Sequence, residues 1–336
     1  MEKIRRARIS LIYEGKDITK DVEDYVISLV YTDYAHGKSD SLEVVFEDRD
    51  KLWQSAWFPE KGAKLKAEII LTNWNGSGTK KLPCGVFTID EVELNGPPDR
   101  VSVKAVSALV TTAIRLEKRT VAYENTSLMQ IANDIVGKHG LQLFFEGEDV
   151  QFKRLDQKNE SDLAFLKRIA EANGFHIKLA EEKLIVYQGK SFDSKPPSLT
   201  IKRGETPIKN YRFSSKAFEI YKACEVTYWD AEKKEVLTYR FEPEDTPKVG
   251  HVLKINERVE SRAEAEKRAK AELRKKNRNE LTAEITLMGN PSLSAGLNIQ
   301  IEGFGVYDGV YAIEEARHEV SQGYTTTIKL RKVLTY

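Results

Sequence analysis

Cysteine is nearly absent from this chain of 336 residues: only Cys84 and Cys224 occur, far apart, with neither a Cys-x-x-Cys spacing nor a clustered histidine beside them. That excludes a disulfide scaffold and a zinc site of the usual kind, and both thiols read as small buried hydrophobes on strands. An excess of one charge sign is lacking too, with 53 Lys+Arg against 52 Asp+Glu and a formal net charge of +1. Proteins that grip phosphate backbones or anionic lipid carry surplus cations, so binding of specific nucleic acid is not expected. Long apolar runs are missing as well. Stretches such as Ala67–Leu71 are a few residues long, where about 18–20 are needed to span a bilayer, so no membrane insertion is expected. The charged start, Met1 to Arg8, leads into the alternating run Ile9 to Tyr13 rather than an apolar signal region. No signal peptide is therefore expected, and synthesis and folding are placed in the cytoplasm.

Recognisable catalytic signatures are absent in turn. There is no Gly-x-Ser-x-Gly elbow, Walker loop or dinucleotide fingerprint, and Gly303-Phe-Gly-Val-Tyr-Asp-Gly309 reads as a turn between strands. The five histidines, His36, His139, His176, His251 and His318, are scattered without metal-ligand spacing, and His139 suits the last turn of a helix through the macrodipole. The acids of Asn159-Glu-Ser-Asp162 stand close together, but at a helix start, where they cap free N–H groups and complement the dipole. The basic run Lys267–Arg278 reads as the solvated face and cationic end of a helix, without the interleaved aromatics of a single-strand binder.

What is present is a regular alternation. Hydrophobic residues make up 40% of the chain, and with 20 Gly the composition supports an ordinary core. Residues 8–13, 26–32, 41–47, 65–72, 85–94 and 101–107 run in period two, predicting a compact antiparallel β domain over residues 1–115. Its turns fall at Asn73–Gly78 and Asn95–Asp99, and one short helix is expected near Arg49–Trp57. From about residue 116 to 195 the period changes. Ser127 to Gln130 forms a capping box before Leu128, Ile131, Ala132 and Ile135, and Gly140 follows as a left-handed stop. Strands Leu141–Glu146 and Val150–Arg154 come next and read as a hairpin around Gly147. A second helix, Ser161–Asn173, ends at Gly174 and precedes strands Phe175–Leu179 and Leu184–Tyr187. One offset carries Gly140 to Gly174, Leu143 to Ile177 and Phe152 to Val186, which predicts a duplicated helix–hairpin domain.

Residues 196–336 return to strands, eight of them, interrupted by one amphipathic helix at about 261–277 with Ser261 and Glu264 as its capping box. Ala265, Ala269 and Leu273 on one face suit close packing against a sheet. Gly85-Val-Phe-Thr-Ile-Asp-Glu-Val92 is echoed by Gly309-Val-Tyr-Ala-Ile-Glu-Glu-Ala316. Two related barrels would explain the echo, a chance likeness of period-two strands being the other reading. The expected class is mainly β with an α+β insertion: two tube-like antiparallel β-barrels flanking the duplicated domain.

The stretch Ser127-Leu-x-x-Ile-Ala-x-x-Ile to Gly140-Leu141, followed by Asp156-Gln-x-Asn-Glu-Ser-Asp-Leu-x-Phe-Leu-x-Arg-Ile-Ala to Gly174, resembles the signature segment of the phage late control D family. These are baseplate hub proteins of contractile tails, similar to the hub portion of type VI secretion spike proteins, and the chain looks most like the PBSX-type prophage hubs. The resemblance implies a structural protein of the virion tail baseplate. Each protomer would give two tube-like barrels, and a homotrimer would match the sixfold tail tube above while keeping threefold symmetry for the spike below. The insertion would meet other baseplate components. Type VI spike proteins continue into a needle, whereas this chain stops after a strand at Tyr336, so a separate spike protein is expected as partner besides the tail tube protein. Asn159, Glu160, Ser161 and Asp162 carry the family look and are expected to orient a helix. No catalytic, cofactor-binding or metal-ligating residue is expected. Two rival functions are a tail-associated peptidoglycan hydrolase using Glu160 and Asp162, and a DNA-binding regulator, which the charge balance disfavours.

Overall fold

The computed structural model describes residues 4–74, 76, 78–107, 112–180, 182–230, 233–244, 250–256, 259 and 261–336. Asn75 and Ser77 of the expected turn Asn73–Gly78 lie outside the described residues, as do the first three residues of the chain. The fold is mainly β. The alternation does what the pleat requires: Ser41–Glu47 buries Leu42, Val44 and Phe46, and Lys64–Thr72 buries Leu65, Ala67, Ile69 and Leu71. Each of these side chains except Ala67 contributes about 1.5–3 kcal/mol of transfer free energy.

Thirteen strands join in one sheet. In its first half, neighbours run in the order Val26–Tyr34, Ser41–Glu47, Arg100–Val106, Thr79–Asn95, Lys64–Thr72 and Arg6–Tyr13, with the two-residue strand Lys16–Asp17 beyond. In its second half the order is Ile208–Ser215, Leu281–Met288, Tyr324–Lys332, Gly309–Val320, Asn298–Glu302 and Leu199–Lys202. Position by position, these are the same path. The echo read from Gly85 and Gly309 falls on its matching fourth strands. Both strands carry a bulge at the equivalent place, between Ile89 and Glu91 in one and between Ile313 and Glu315 in the other. One departure separates the halves: Arg6–Tyr13 is antiparallel to its neighbour, and Leu199–Lys202 is parallel to its own.

The halves are fused by hydrogen bonds, because Gly309–Val320 also pairs with Val26–Tyr34, from Glu315 opposite Tyr34 to Val320 opposite Leu29. The hydrogen-bonded path among the described residues is open, where closed barrels were expected. Alternation says which face of a strand is buried but not which strand lies beside it. Val320 and Tyr324 from the far end of the chain accordingly enter the core of the first half.

Gly289 packs tightly on Tyr324 and is tied to the first half through Trp74. Its N–H donates to the Tyr324 carbonyl at 2.8 Å, and its carbonyl accepts from Trp74 Nε1 at 2.6 Å. A Cβ there would stand 2.0 Å from Tyr324 Cδ1. Gly289→Ala is expected to lower stability by about 1–3 kcal/mol through overpacking, read as a lower denaturant midpoint at unchanged slope. An unchanged midpoint would mean that the Tyr324 ring is not held against Gly289.

Three of the eight C-terminal strands leave the large sheet. Glu235–Phe241, Tyr221–Asp230 and His251–Ile255 form a sheet of their own, covered by the helix Arg262–Asn277. Ala265, Ala269 and Leu273 pack there on Cys224, Val226 and Tyr228, so the small-residue face works as expected. Ser261 accepts from the Glu264 N–H at 3.2 Å. The short helix expected near Arg49–Trp57 does not form. That segment is a series of turns in which Asp48 Oδ1 accepts from the Trp53 N–H at 3.1 Å, and Trp53 stacks on Phe46 with centroids 3.9 Å apart.

In the insertion, helices Leu128–His139 and Asp162–Ala172 match the reading. Ser127 and Ser161 accept from the N–H groups of Gln130 and Ala164, and Gly140 (φ 65°) ends the first helix. The duplicated helix–hairpin arrangement is not what the strands build. Gln142–Glu146 runs parallel to Lys183–Gln188, which also pairs with Phe175–Ala180, whereas Gln151–Ser161 pairs with Lys118–Ser127. Only the second pair is a hairpin. Gly147 (φ 135°) serves close packing instead of a hairpin turn, since a Cβ would meet Gln188 Cβ at 2.7 Å and Phe175 Cε1 at 2.8 Å.

Candidate functional site

The residues that chemistry would first suggest are all engaged. Glu160 takes two hydrogen bonds from Arg168, at 2.7 and 3.0 Å, which hold its carboxyl below the usual range. Asp162 is buried. Burial alone would raise its pKa, but hydrogen bonds from Gln157 Nε2 and His139 Nε2, each 3.0 Å, with Arg119 at 3.7 Å, outweigh it and keep the pKa low. His139 therefore ties the end of one helix to the start of the next, a specific role beyond the dipole argument. With both acids held ionised by neighbours, Glu160 and Asp162 lack the unequal environments of an acid–base pair.

The other candidates are dispersed. His318 is sealed between the halves, contacting the Tyr324 hydroxyl at 2.8 Å and the Leu293 carbonyl at 3.0 Å. His251 lies exposed on its strand. Cys84 and Cys224 are buried in separate cores, and burial pushes both thiols up to about 12. Among the described residues, no three His, Cys, Asp or Glu side chains are grouped to hold a metal ion, and no helix is long and apolar enough to cross a membrane. Two cations of the basic helix are spent internally. Arg268 donates to the Ala172 carbonyl at 2.8 Å, and Arg274 bonds Asp193 at 2.5 Å.

What the structure assembles instead is a buried ionic junction, where His36, the insertion, the long helix and the last two strands meet. Asp193, in the short helix Gly189–Asp193, accepts from Arg331 at 2.7 and 3.1 Å and from Arg274. Glu314 accepts from Arg278 at 2.9 and 3.0 Å, from Arg331, and lies 3.0 Å from His36. Burial opposes ionisation of Glu314, yet the His36 hydrogen bond and the Arg278 and Arg331 charges hold its pKa well below the carboxylate range. His36 stacks on His176 with centroids 4.2 Å apart. Burial, and then the charges of His36, Arg278 and Arg331, push the His176 pKa well down. A second tie lies alongside: Lys178 of the insertion reaches Asp33 at 2.7 Å and Asp40 at 3.1 Å. None of these pairs has a sequence signal, because the partners are far apart along the chain and their residue types are common.

The second notable feature is a sheet margin. Strand Ile208–Ser215 is paired on one side only among the described residues. Tyr211 on it is 42% exposed, beside Phe304, with Val306 in the adjoining loop 84% exposed. An unpaired strand next to exposed apolar side chains is a template for another chain.

Solved tail proteins share this fold. The 43 kDa tail protein of prophage MuSo2 from Shewanella oneidensis superposes with a TM-score of 0.73 at 15% identity, covering 97% of this chain and 98% of that one. The tail protein from Neisseria meningitidis MC58 gives 0.70 at 15% identity, over 97% and 96%. The fold is thus that of phage tail proteins. In sequence, the chain is 31% identical over 202 residues to the probable baseplate hub protein of Escherichia phage P2, covering 58% of this chain and 50% of that one. A family model described as the Alg8 N-terminal domain matches residues 85–322, a description that says nothing of tails. The chain belongs to the family that this model describes, and over 58% of its length it is similar to probable baseplate hub proteins of two Escherichia phages. It spans about half the length of the curated relatives it matches.

Proposed function

We propose that the chain is a structural baseplate hub of a contractile phage tail or tail-like particle, a virion component that acts through surfaces and carries out no catalysis. Three copies would form a ring presenting six tube-like units to the sixfold tail tube and threefold symmetry to a separate spike protein. The observation that carries this reading is the repeated six-strand path, which puts two equivalent units in one polypeptide. A protein that joins sixfold to threefold symmetry needs two such units per protomer. The open margin at Ile208–Ser215 supports assembly by continuation of the sheet into a neighbouring copy. The insertion at 116–195 then faces other baseplate components.

The test is mass in solution, alone and with purified tube and spike proteins. A trimer is expected, with an obligate interface on the order of 2,000 Å² or more. Tyr211→Asp on the open margin is expected to shift the population to monomer while leaving the circular dichroism spectrum unchanged. A chain that stays monomeric at high concentration with both partners present would overturn the reading.

A further inference from the structure

A cavity of about 260 Å³ lies at the ionic junction, walled by the insertion, the long helix and the last strand. Four cations line it, Arg274, Lys275, Arg278 and Arg331, against the carboxylates of Glu171 and Asp193, with Glu314 bonded just behind. The site's four cations against three carboxylates leave one positive charge in surplus, the histidines aside.

Where that surplus resides is decided by hydrogen bonds. All three nitrogens of the Arg331 guanidinium are used, on Asp193 and Glu314. Arg278 engages His36 and Glu314 through Nη2 alone, and its Nε and Nη1 make no hydrogen bond among the described residues. The nearest carboxylate to Lys275 Nζ is Glu171, 4.0 Å away. Neither ring nitrogen of His176 has a hydrogen-bond partner among the described residues, although the ring lines the cavity. Lys275 in the last turn of the helix and Arg278 at its C-cap, still in helical conformation, are three apart and so share a face, and His176 stands in the insertion. Gly189 keeps the space clear, because a Cβ there would come within 2.9 Å of His176 Nε2.

We propose that this cavity binds a small oxyanion, phosphate being the best match, held by Lys275, Arg278 and His176. A guanidinium edge, an ammonium and an imidazole offer several N–H donors from two sides, which suits a tetrahedral anion with acceptors on every face. The bound anion joins the insertion to the long helix without touching the sheet margin, so the site is independent of the oligomer proposed above. Binding to the folded chain alone stabilises it by mass action.

The experiment is titration of the full chain with inorganic phosphate, followed by calorimetry and thermal unfolding, with chloride at matched ionic strength and acetate as a carboxylate probe. Saturable binding and a rising Tm are expected with phosphate, and a weaker response with acetate. Lys275→Gln and His176→Gln are each expected to weaken phosphate binding about tenfold, as befits loss of one charge-assisted hydrogen bond. Lys276→Gln, an exposed neighbour outside the cavity, is expected to leave the affinity unchanged. Gly189→Ala, which fills the space, should weaken binding without removing a charge. A phosphate effect no larger than that of chloride would overturn the proposal, and so would one that survives both Lys275→Gln and His176→Gln. Equal affinity for acetate would overturn the preference for phosphate.

Discussion

Asp193→Ala is expected to cost about 3–5 kcal/mol, because it leaves Arg274, largely buried, without its carboxylate and strips Arg331, sealed from solvent, of two of its three hydrogen bonds, only the one to Glu314 remaining. Two arginines from different elements converge on that one side chain, so the loss does not stay local. The insertion, the long helix and the final strand are fastened through it. Denaturant unfolding followed by tryptophan fluorescence and far-UV circular dichroism would read the effect. The two probes should separate in the variant if the junction is what makes the units unfold together. Replacing Asp193 by Leu together with Arg331 by Met should recover part of the loss, since Arg331 then leaves no stranded charge and only Arg274 lacks its carboxylate. A change below about 1 kcal/mol for Asp193→Ala would show that the ion pairs are not the fastening.

The second large effect is a loss of stability in mild acid. His318 is buried, and burial pushes its pKa down to about 4, against the Leu293 carbonyl hydrogen bond and the Asp33 charge that favour protonation. The unfolded chain takes up this proton near pH 6.5, the folded one only near pH 4. Between those values the unfolded state binds more protons. The contribution is therefore complete above about pH 6.5 and is lost as the pH falls to 4, about 3 kcal/mol in all. His176, shifted in the same direction, adds a loss that likewise sets in as the pH falls below about 6.5. Glu314 acts lower. Its depressed pKa gives stability that is present above about pH 4.5 and lost only as the pH falls further. Denaturant midpoints measured from pH 8 to 3 should fall in two stages, and His318→Gln should flatten the first. A stability constant between pH 6.5 and 5 would contradict this account of His318.

How much could be read in advance depended on the range of the interaction. The helix caps at Ser127, Ser161 and Ser261, and the left-handed stop at Gly140, involve groups a few residues apart, so the local sequence specifies them. The same holds for the buried faces of Ser41–Glu47 and Lys64–Thr72, which follow from alternation alone. The echo of Gly85–Val92 in Gly309–Ala316 was legible because equivalent folds bury equivalent side chains. The matching bulges before Glu91 and Glu315 bear out that correspondence.

Pairing was not legible. Leu141–Glu146 and Val150–Arg154 alternate as hairpin strands do, yet they join different sheets, since either would bury the same face against any suitable neighbour. The same ambiguity hid the departure of three C-terminal strands to a sheet of their own. Glu160 and Asp162 were recognisable as helix-end residues, but Arg168 and His139 as their partners were only partly so. The contact between His139 and Asp162 depends on how two helices meet.

By itself, then, the amino-acid order determined most of the elements, their buried faces, their caps and the presence of two like β regions, because all of these arise from neighbours along the chain or from a period of two or 3.6 residues. Tertiary structure alone decided the fusion of those regions into one open sheet through Val26–Tyr34 and Gly309–Val320. It also decided the meeting of Asp193 with Arg331 and of His36 with His176. Such contacts join groups that only packing brings together, and desolvation gives them their strength, so a charged residue read along the chain carries no mark of the partner it will find.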